Sequence, residues 1–377
     1  MEDFPIPHQD SKQAGREVPG VGKTILDDLR RGDLKSTVKR DLRDLYNFYI
    51  DEDERERLKR MNRFKRWFIR GWWLLKNLIL NLSPVRRLLL VLSLFLALQG
   101  PSSFSVTDST QVNTDLRSLG YLILLVVLML ELMDKLVAKS ELEVGRKVQL
   151  ALLPDRNPTL SGWDLVLFTR PANEVGGDLV DYHKLRENRL GIALGDVSGK
   201  GLGAALLMAK LQATLWAIAT DFSSLSDMGA RFNHILCRDG VPGKFATLVY
   251  LELLPDTGLV RVLNAGHPPP VALKGGVYEH LSPVAPPLGV VPDADYVEQR
   301  VELKPGETLI VYSDGLTEAE NAGGEFFGEE RLQKLLPRIE NLSAEAACST
   351  VLSEVQNYIG EERYSDDLSI AVLKRLG

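Results

Sequence analysis

Four times beyond residue 170 of this chain an aspartate sits beside glycine or serine at the edge of a short strand-like segment. The sites are Gly176-Gly177-Asp178, Gly195-Asp196-Val197-Ser198-Gly199-Lys200-Gly201, Tyr312-Ser313-Asp314-Gly315 and Ser365-Asp366-Asp367. One Asp-Gly pair at a strand end is usually only a turn. Four such sites constrain the fold more, because carboxylates gathered at one edge repel one another unless a cation neutralises them. Hard oxygen donors without His or Cys at matching spacing point to Mg²⁺ or Mn²⁺ rather than zinc. Two such ions held ~4 Å apart bridge a water, lower its pKa and clamp a phosphoryl group, with no covalent nucleophile needed.

The segments around these aspartates read as an α+β layered domain. Strands are predicted over Trp163–Arg170, Asp178–Leu185, Arg189–Gly195, Ala246–Leu253, Leu259–Ala265, Thr308–Tyr312 and Leu368–Leu373. The turn Pro255-Asp-Thr-Gly258 joins two of them as a hairpin. Helices are predicted over Gly203–Thr220, near Glu329–Leu336 and over Ala344–Ile359. Antiparallel hairpins with the helices grouped apart exclude a Rossmann-type βαβ alternation.

The N-terminal third differs in character. Residues 1–57 are polar, and residues 58–87 are dense in Lys and Arg, with Trp67, Trp72 and Trp73 interleaved. Two apolar runs follow within 88–135, Leu88–Leu98 and Leu119–Leu130. Each is short for a span of ~20 residues. Basic flanks on both sides, and a linking segment holding Asp108 and Asp115 with only Arg117, predict a two-helix transmembrane hairpin with both ends cytoplasmic. That places the chain at the inner or cytoplasmic membrane, with its C-terminal domain in the cytoplasm. A linker helix over 136–154 is expected, ending at Pro154. It reads equally as a parallel homodimer element and as a spacer packed on the domain over 155–377. A net charge of −6 argues against nucleic acid as a partner. Cys237 and Cys348 lack metal spacing and read as free thiols of a reducing compartment.

At the aspartate motifs the chain closely resembles the metal-dependent, protein phosphatase 2C-like (PPM-type) phosphatases. The match is to the bacterial branch typified by sporulation stage II protein E and the sigma-factor regulator phosphatases. The matching segments are Glu174–Asp178, Gly195–Ala209, Leu263–Pro270, Pro287–Gly289, Leu309–Ala319 and Asp366–Ile370, in the family's order, with Gln149 and Leu152-Leu153-Pro154 as the lead-in. The resemblance implies a sandwich of two antiparallel sheets flanked by helices, with a site for two Mn²⁺ or Mg²⁺ ions at one edge. Asp178, Asp196, Asp314 and Asp366 match the catalytic, metal-binding carboxylates, and the carbonyl of Val197 matches a further ligand. Asp367 is a second candidate in the last motif, with Asp366 preferred. The implied activity is hydrolysis of phosphoserine or phosphothreonine on a regulatory protein of the anti-sigma-factor antagonist type, controlled through the N-terminal membrane segment.

Other readings fare worse. Gly195–Gly201 lacks the spacing of a phosphate-binding P-loop, and Gly201 stands where Ser or Thr should follow the lysine. Lys200 reads either as a phosphate contact or as a solvated turn residue. His267 is a general-acid candidate, although a structural histidine in a Pro-rich turn fits the pattern better. Ser198 and Ser313 have no triad partners at recognisable spacing. The alternative function class is a low-turnover binding module that sequesters a signalling partner; the filled aspartate positions favour catalysis.

Overall fold

The structure, a computed structural model, describes residues 63–99, 102–107, 110–114, 116–154, 156–255, 257–282 and 285–377. The polar region 1–57 and the first part of the basic segment lie outside these residues. The chain separates into two compact units, divided between Asp134 and Lys135.

In the first unit, α1 (Arg63–Asn81) and α2 (Pro84–Leu98) precede a small hairpin of β1 (Ser102–Thr107) and β2 (Thr110–Thr114), after which α3 (Arg117–Leu152) begins. Ser83 caps α2 through the Arg86 N–H, with Pro84 in the first turn. Gly120 lets α3 approach α2 closely, since a Cβ there would lie 2.8 Å from the Ser93 carbonyl oxygen. The expected transmembrane hairpin needs correction: among the described residues no helix is long and apolar enough to cross a membrane. The first apolar run forms a helix of 15 residues, about 22 Å at 1.5 Å per residue, against a hydrocarbon core of about 30 Å. The second run ends in charge, where Arg86 pairs with Glu131 at 2.8 Å and Asp134 at 2.5 Å.

Helix α3 continues without a break into the second unit, so the expected linker helix is the C-terminal half of a 36-residue helix. Beyond it two five-stranded antiparallel sheets form. One has the order β10 (Glu298–Glu302), β7 (Leu259–Ala265), β6 (Ala246–Leu253), β5 (Leu190–Val197), β4 (Leu179–Lys184). The other has the order β3 (Trp163–Arg170), β12 (Leu368–Arg375), β11 (Thr308–Tyr312), β8 (Val271–Lys274), β9 (Val277–His280). Helices α4 (Leu202–Ile218) and α5 (Leu225–Asp239) cover the first sheet. Helices α7 (Gly328–Ile339) and α8 (Ala344–Ile359) cover the second, and the short α6 (Asp314–Thr317) follows β11.

Strand periodicity builds these layers. Along β5, Leu190, Ile192 and Leu194 enter the core between the sheets, while Ala193 and Val197 face α4 and α5. Along β12, Ala371 and Leu373 join the same central core, while Leu368, Ile370 and Val372 pack under α7 and α8. Both faces are buried, so these strands read as almost continuous apolar runs rather than alternating ones. The α+β sandwich expected from the sequence is therefore the observed fold. It brings the ends of β5 and β11 and the starts of β4 and β12 to one edge.

Candidate active site

Asp178 precedes β4 and is 5% exposed. Its Oδ2 accepts a 2.5 Å hydrogen bond from the Ser369 hydroxyl on β12. Burial, together with the neighbouring Asp196 charge, holds its pKa well above the ordinary carboxylate range. Asp196, near the end of β5, is close enough to Asp178 for their side chains to share a hydrogen bond. Its pKa is pushed up to about 7, first by burial and then by the charges of Asp314, Asp366 and Asp367. Asp314 opens α6, and burial followed by the Asp366 charge raises its pKa too. The expected carboxylates are thus electrostatically coupled at one edge, although they come from both sheets.

The two aspartates of the last motif do different work. Asp367, 7% exposed, spends both oxygens on backbone. Its Oδ1 accepts from the Ala172 N–H at 2.7 Å, and its Oδ2 accepts from Gly177 at 2.5 Å and Asp178 at 3.4 Å. It thereby ties β12 to the turn that carries Asp178. Gly176 is required there, because a Cβ would lie 2.5 Å from Asp367 Oδ2. Asp366 points the other way, with Oδ2 3.0 Å from Lys200 Nζ. That ammonium also donates to the Ser365 carbonyl at 2.8 Å, so Lys200 pins the loop after β5 to the loop before β12.

Other residues complete the edge, and their contacts there are not visible in the sequence. Gly177 lies against the Val197 carbonyl and the Asp196 carboxylate, where a Cβ would meet them at 3.1 and 3.5 Å. Glu318, the next acid after Asp314, has its pKa raised by burial and then by Asp314 and Asp366. The run Asp314-Gly-Leu-Thr-Glu318 held the clue to it, since residues four apart share a helical face. Gln149, 6% exposed near the end of α3, clamps Gly176 from both sides. Its Nε2 donates to the Gly176 carbonyl at 2.7 Å, and its Oε1 accepts from the Gly176 N–H at 3.0 Å. Gln212 of α4 adds a second tie, donating to the Leu152 carbonyl at 2.7 Å and to Asp181 at 2.6 Å. Glu174 faces Arg146 of α3 at 3.6 Å, away from the carboxylates. His267 is 1% exposed and burial pulls its pKa down to about 3. It is neutral and shielded from solvent, which excludes it as a general acid.

Among the described residues no group of three or more His, Cys, Asp or Glu side chains converges tightly enough to hold a metal ion as it stands. The chemistry of the donor set nevertheless fits a hard divalent cation. Carboxylates driven to high pKa by one another's charge regain their ionised form when a cation joins them, and the only ammonium paired to this edge, among the described residues, is Lys200.

A sandwich of two antiparallel sheets, helices on both outer faces and carboxylates coupled at one edge define a phosphatase domain of the 2C type. Residues 186–376 match the stage II sporulation protein E (SpoIIE) family, and the chain belongs to it. Among curated relatives, protein IcfG of Synechocystis is 29% identical over 268 residues, covering 63% of this chain and 42% of that protein. Phosphoserine phosphatase RsbU of Bacillus subtilis is 27% identical over 245 residues, covering 63% of this chain and 70% of that protein. The chain thus spans less than half the length of IcfG. Among solved structures, the SiaA-PP2C domain of Pseudomonas aeruginosa superposes with a TM-score of 0.57 at 22% identity, covering 65% of this chain and 99% of that domain. The RsbU and RsbW domains of Rv1364c from Mycobacterium tuberculosis give 0.50 at 24% identity, covering 58% of this chain and 63% of theirs.

Proposed function

We propose that the chain is a metal-dependent protein serine/threonine phosphatase whose centre is the edge formed by Asp178, Asp196, Val197, Asp314 and Asp366. The observation that carries this reading is the mutual charge coupling of Asp196 with Asp314 and Asp366, drawn from both sheets onto one edge. Asp178 and Asp196 form one side of the ligand set, with the Val197 carbonyl beside them at Gly177. Asp314 and Asp366 form the other. Two Mn²⁺ or Mg²⁺ ions, when bound, would supply an activated water and neutralise charge on the phosphoryl group. The chain's own contribution is to hold these oxygens in place. Ser369 fixes the Asp178 rotamer, Thr247 holds the Asp196 backbone, and Asp367 acts through the Gly177 and Asp178 amides rather than as a ligand. Lys200, paired with Asp366 at 3.0 Å, would hold an ammonium beside a bound phosphate. The substrate is a phosphorylated regulatory protein of the anti-sigma-factor antagonist type, in keeping with RsbU, named a phosphoserine phosphatase.

Control enters through α3. Gln149 and the Leu152 carbonyl connect this helix directly to the Asp178 turn and to α4, so a change in helix register moves the ligand turn. Outward-facing Val137, Val144 and Val148 support a homodimer along α3, to be read from the mass in solution by light scattering. Exposed Leu88, Val91, Phe95, Tyr121, Leu125 and Leu128 support a location at the cytoplasmic membrane, with the phosphatase domain in the cytoplasm. Cell fractionation tests this, and full recovery in the soluble fraction would refute it.

The test of function is phosphate release by the full chain from casein phosphorylated on serine, with Mn²⁺, with Mg²⁺ and with chelator. Turnover that needs the divalent cation supports the reading. Absence of turnover with every cation, together with tight capture of a phosphorylated antagonist, would favour a binding module instead.

A further inference from the structure

The motif Leu263-Asn-Ala-Gly-His-Pro-Pro-Pro270 is left unexplained by the carboxylates themselves, yet it crosses from one sheet to the other between β7 and β8. Its conformation is held firmly. Asn264 accepts from the His267 N–H at 2.9 Å and donates back to the His267 carbonyl at 3.1 Å. Gly266 takes a φ of 72°, with Pro287 packed where a Cβ would stand. The imidazole is thereby fixed in place by its backbone before it makes any contact of its own.

The ring then touches both sheets. Nδ1 lies 2.8 Å from the Thr247 hydroxyl on β6. Thr247 faces Asp196 across the β5–β6 ladder, and its Oγ1 accepts the Asp196 N–H at 3.3 Å. On the other side the ring rests against the backbone of Tyr312, two residues before Asp314, while Nε2 is buried without a hydrogen-bond partner. With Nε2 protonated, Nδ1 accepts the Thr247 hydroxyl, which leaves the oxygen lone pairs of Thr247 for the Asp196 amide. An apolar side chain would fill this space without leaving a buried nitrogen unpaired, so packing alone does not account for histidine here.

We propose that His267 is a positioning residue, a buried strut that sets the separation of Asp196 on one sheet from Asp314 on the other, acting through Thr247 and the Tyr312 backbone. The ligand carboxylates are carried by two sheets that share no hydrogen-bonded ladder at this edge. His267 bridges them, by a hydrogen bond to Thr247 on one side and by its approach to the Tyr312 backbone on the other, and outer partners of this kind typically tune metal affinity by 10–100-fold.

This inference rests on the metal-centre reading, and the experiment separates the two. Mn²⁺ binding to the full chain is measured by isothermal titration calorimetry for the wild type, Asp196→Ala, His267→Gln, Thr247→Val, Thr247→Ser and the His267→Gln/Thr247→Val double variant. Circular dichroism of each metal-free protein establishes its fold. Mn²⁺ binding by the wild type that Asp196→Ala abolishes upholds the centre, whatever the other variants do. The strut predicts about tenfold weaker binding in His267→Gln and in Thr247→Val, near wild-type binding in Thr247→Ser, and a double variant no weaker than the worse single one. Wild-type affinity in folded Thr247→Val, an equal loss in Thr247→Ser, or losses that multiply in the double variant would overturn it. Should His267→Gln fail to fold, the Thr247→Val and Thr247→Ser pair decides alone.

Discussion

Replacing each aspartate of the last motif by alanine separates ligation from architecture. Asp367→Ala removes the acceptor of two short backbone bonds, 2.7 Å from Ala172 and 2.5 Å from Gly177, and of a weaker one from Asp178. A hydrogen bond to a charged group is worth about 1.5–3 kcal/mol, so the two short bonds contribute roughly 3–6 kcal/mol. The burial that raises the Asp367 pKa offsets part of that, leaving a loss of about 3–4 kcal/mol. For a domain of this size about 1 kcal/mol moves Tm by about 2–4 °C, so a fall of roughly 10 °C is expected. Asp366→Ala breaks the exposed pair with Lys200, worth up to about 1 kcal/mol, and the 2.9 Å bond from the Asp367 N–H, but it also removes a charge that repels Asp196 and Asp314, so Tm should shift by less than about 4 °C. The assay is a metal-free thermal melt followed by phosphate release with Mn²⁺. Asp366→Ala should keep its fold and lose turnover; Asp367→Ala should melt early. An unshifted Tm in Asp367→Ala, or full Mn²⁺-dependent activity in Asp366→Ala, would refute the division of labour.

The other predictions concern control, protons and rigidity. Gln149→Leu strips both partners from the buried Gly176 backbone and should cost about 2–4 kcal/mol while altering the Mn²⁺ concentration needed for half-maximal activity; a silent variant would remove Gln149 from the relay. Gly145→Pro should break α3 within the second unit and uncouple phosphatase activity from the N-terminal unit, so activity that still responds to that unit would contradict the helix relay. Asp196, with its pKa raised to about 7, holds a proton at pH 6 that a cation must displace. Apparent Mn²⁺ affinity should therefore fall by up to about tenfold per pH unit below 7, with proton release seen calorimetrically in buffers of different ionisation enthalpy. In the metal-free protein the same shift favours the folded state at low pH, and that contribution is lost as pH rises from about 4 to about 7. A metal affinity independent of pH between 5.5 and 8 would contradict this assignment.

Legibility followed burial. The interior strands β5, β6, β7, β11 and β12 were readable because burial on both faces made their segments densely apolar, and the longer edge strands β3 and β4 were readable as well. The shortest strands were not. Strands β9 and β10 carry Glu279, Glu298, Arg300 and Glu302 on only four or five residues, too short and too polar to stand out from loop. Helix α5 was missed because its polar face dilutes the apolar one, though Ser224 capping the Asp227 N–H marked its start. The aspartates were legible because carboxylates beside glycines at strand ends have few structural uses in common. Their partners were not: Ser369, Thr247 and Gln149 acquire meaning only when distant segments meet, and Ser369 reaches Asp178 across 191 positions. The apolar runs misled for a different reason, since local hydropathy does not show that Arg86 will pair with Glu131 and Asp134 from the neighbouring helix.

The most direct test of the metal-dependent centre is phosphate release from a serine-phosphorylated protein by the full chain, comparing the wild type with a folded Asp196→Ala variant in Mn²⁺ and in chelator. The carboxylate edge predicts turnover by the wild type in Mn²⁺ alone, with the variant at background. Turnover that survives chelation, or an Asp196→Ala variant as active as the wild type, would contradict it.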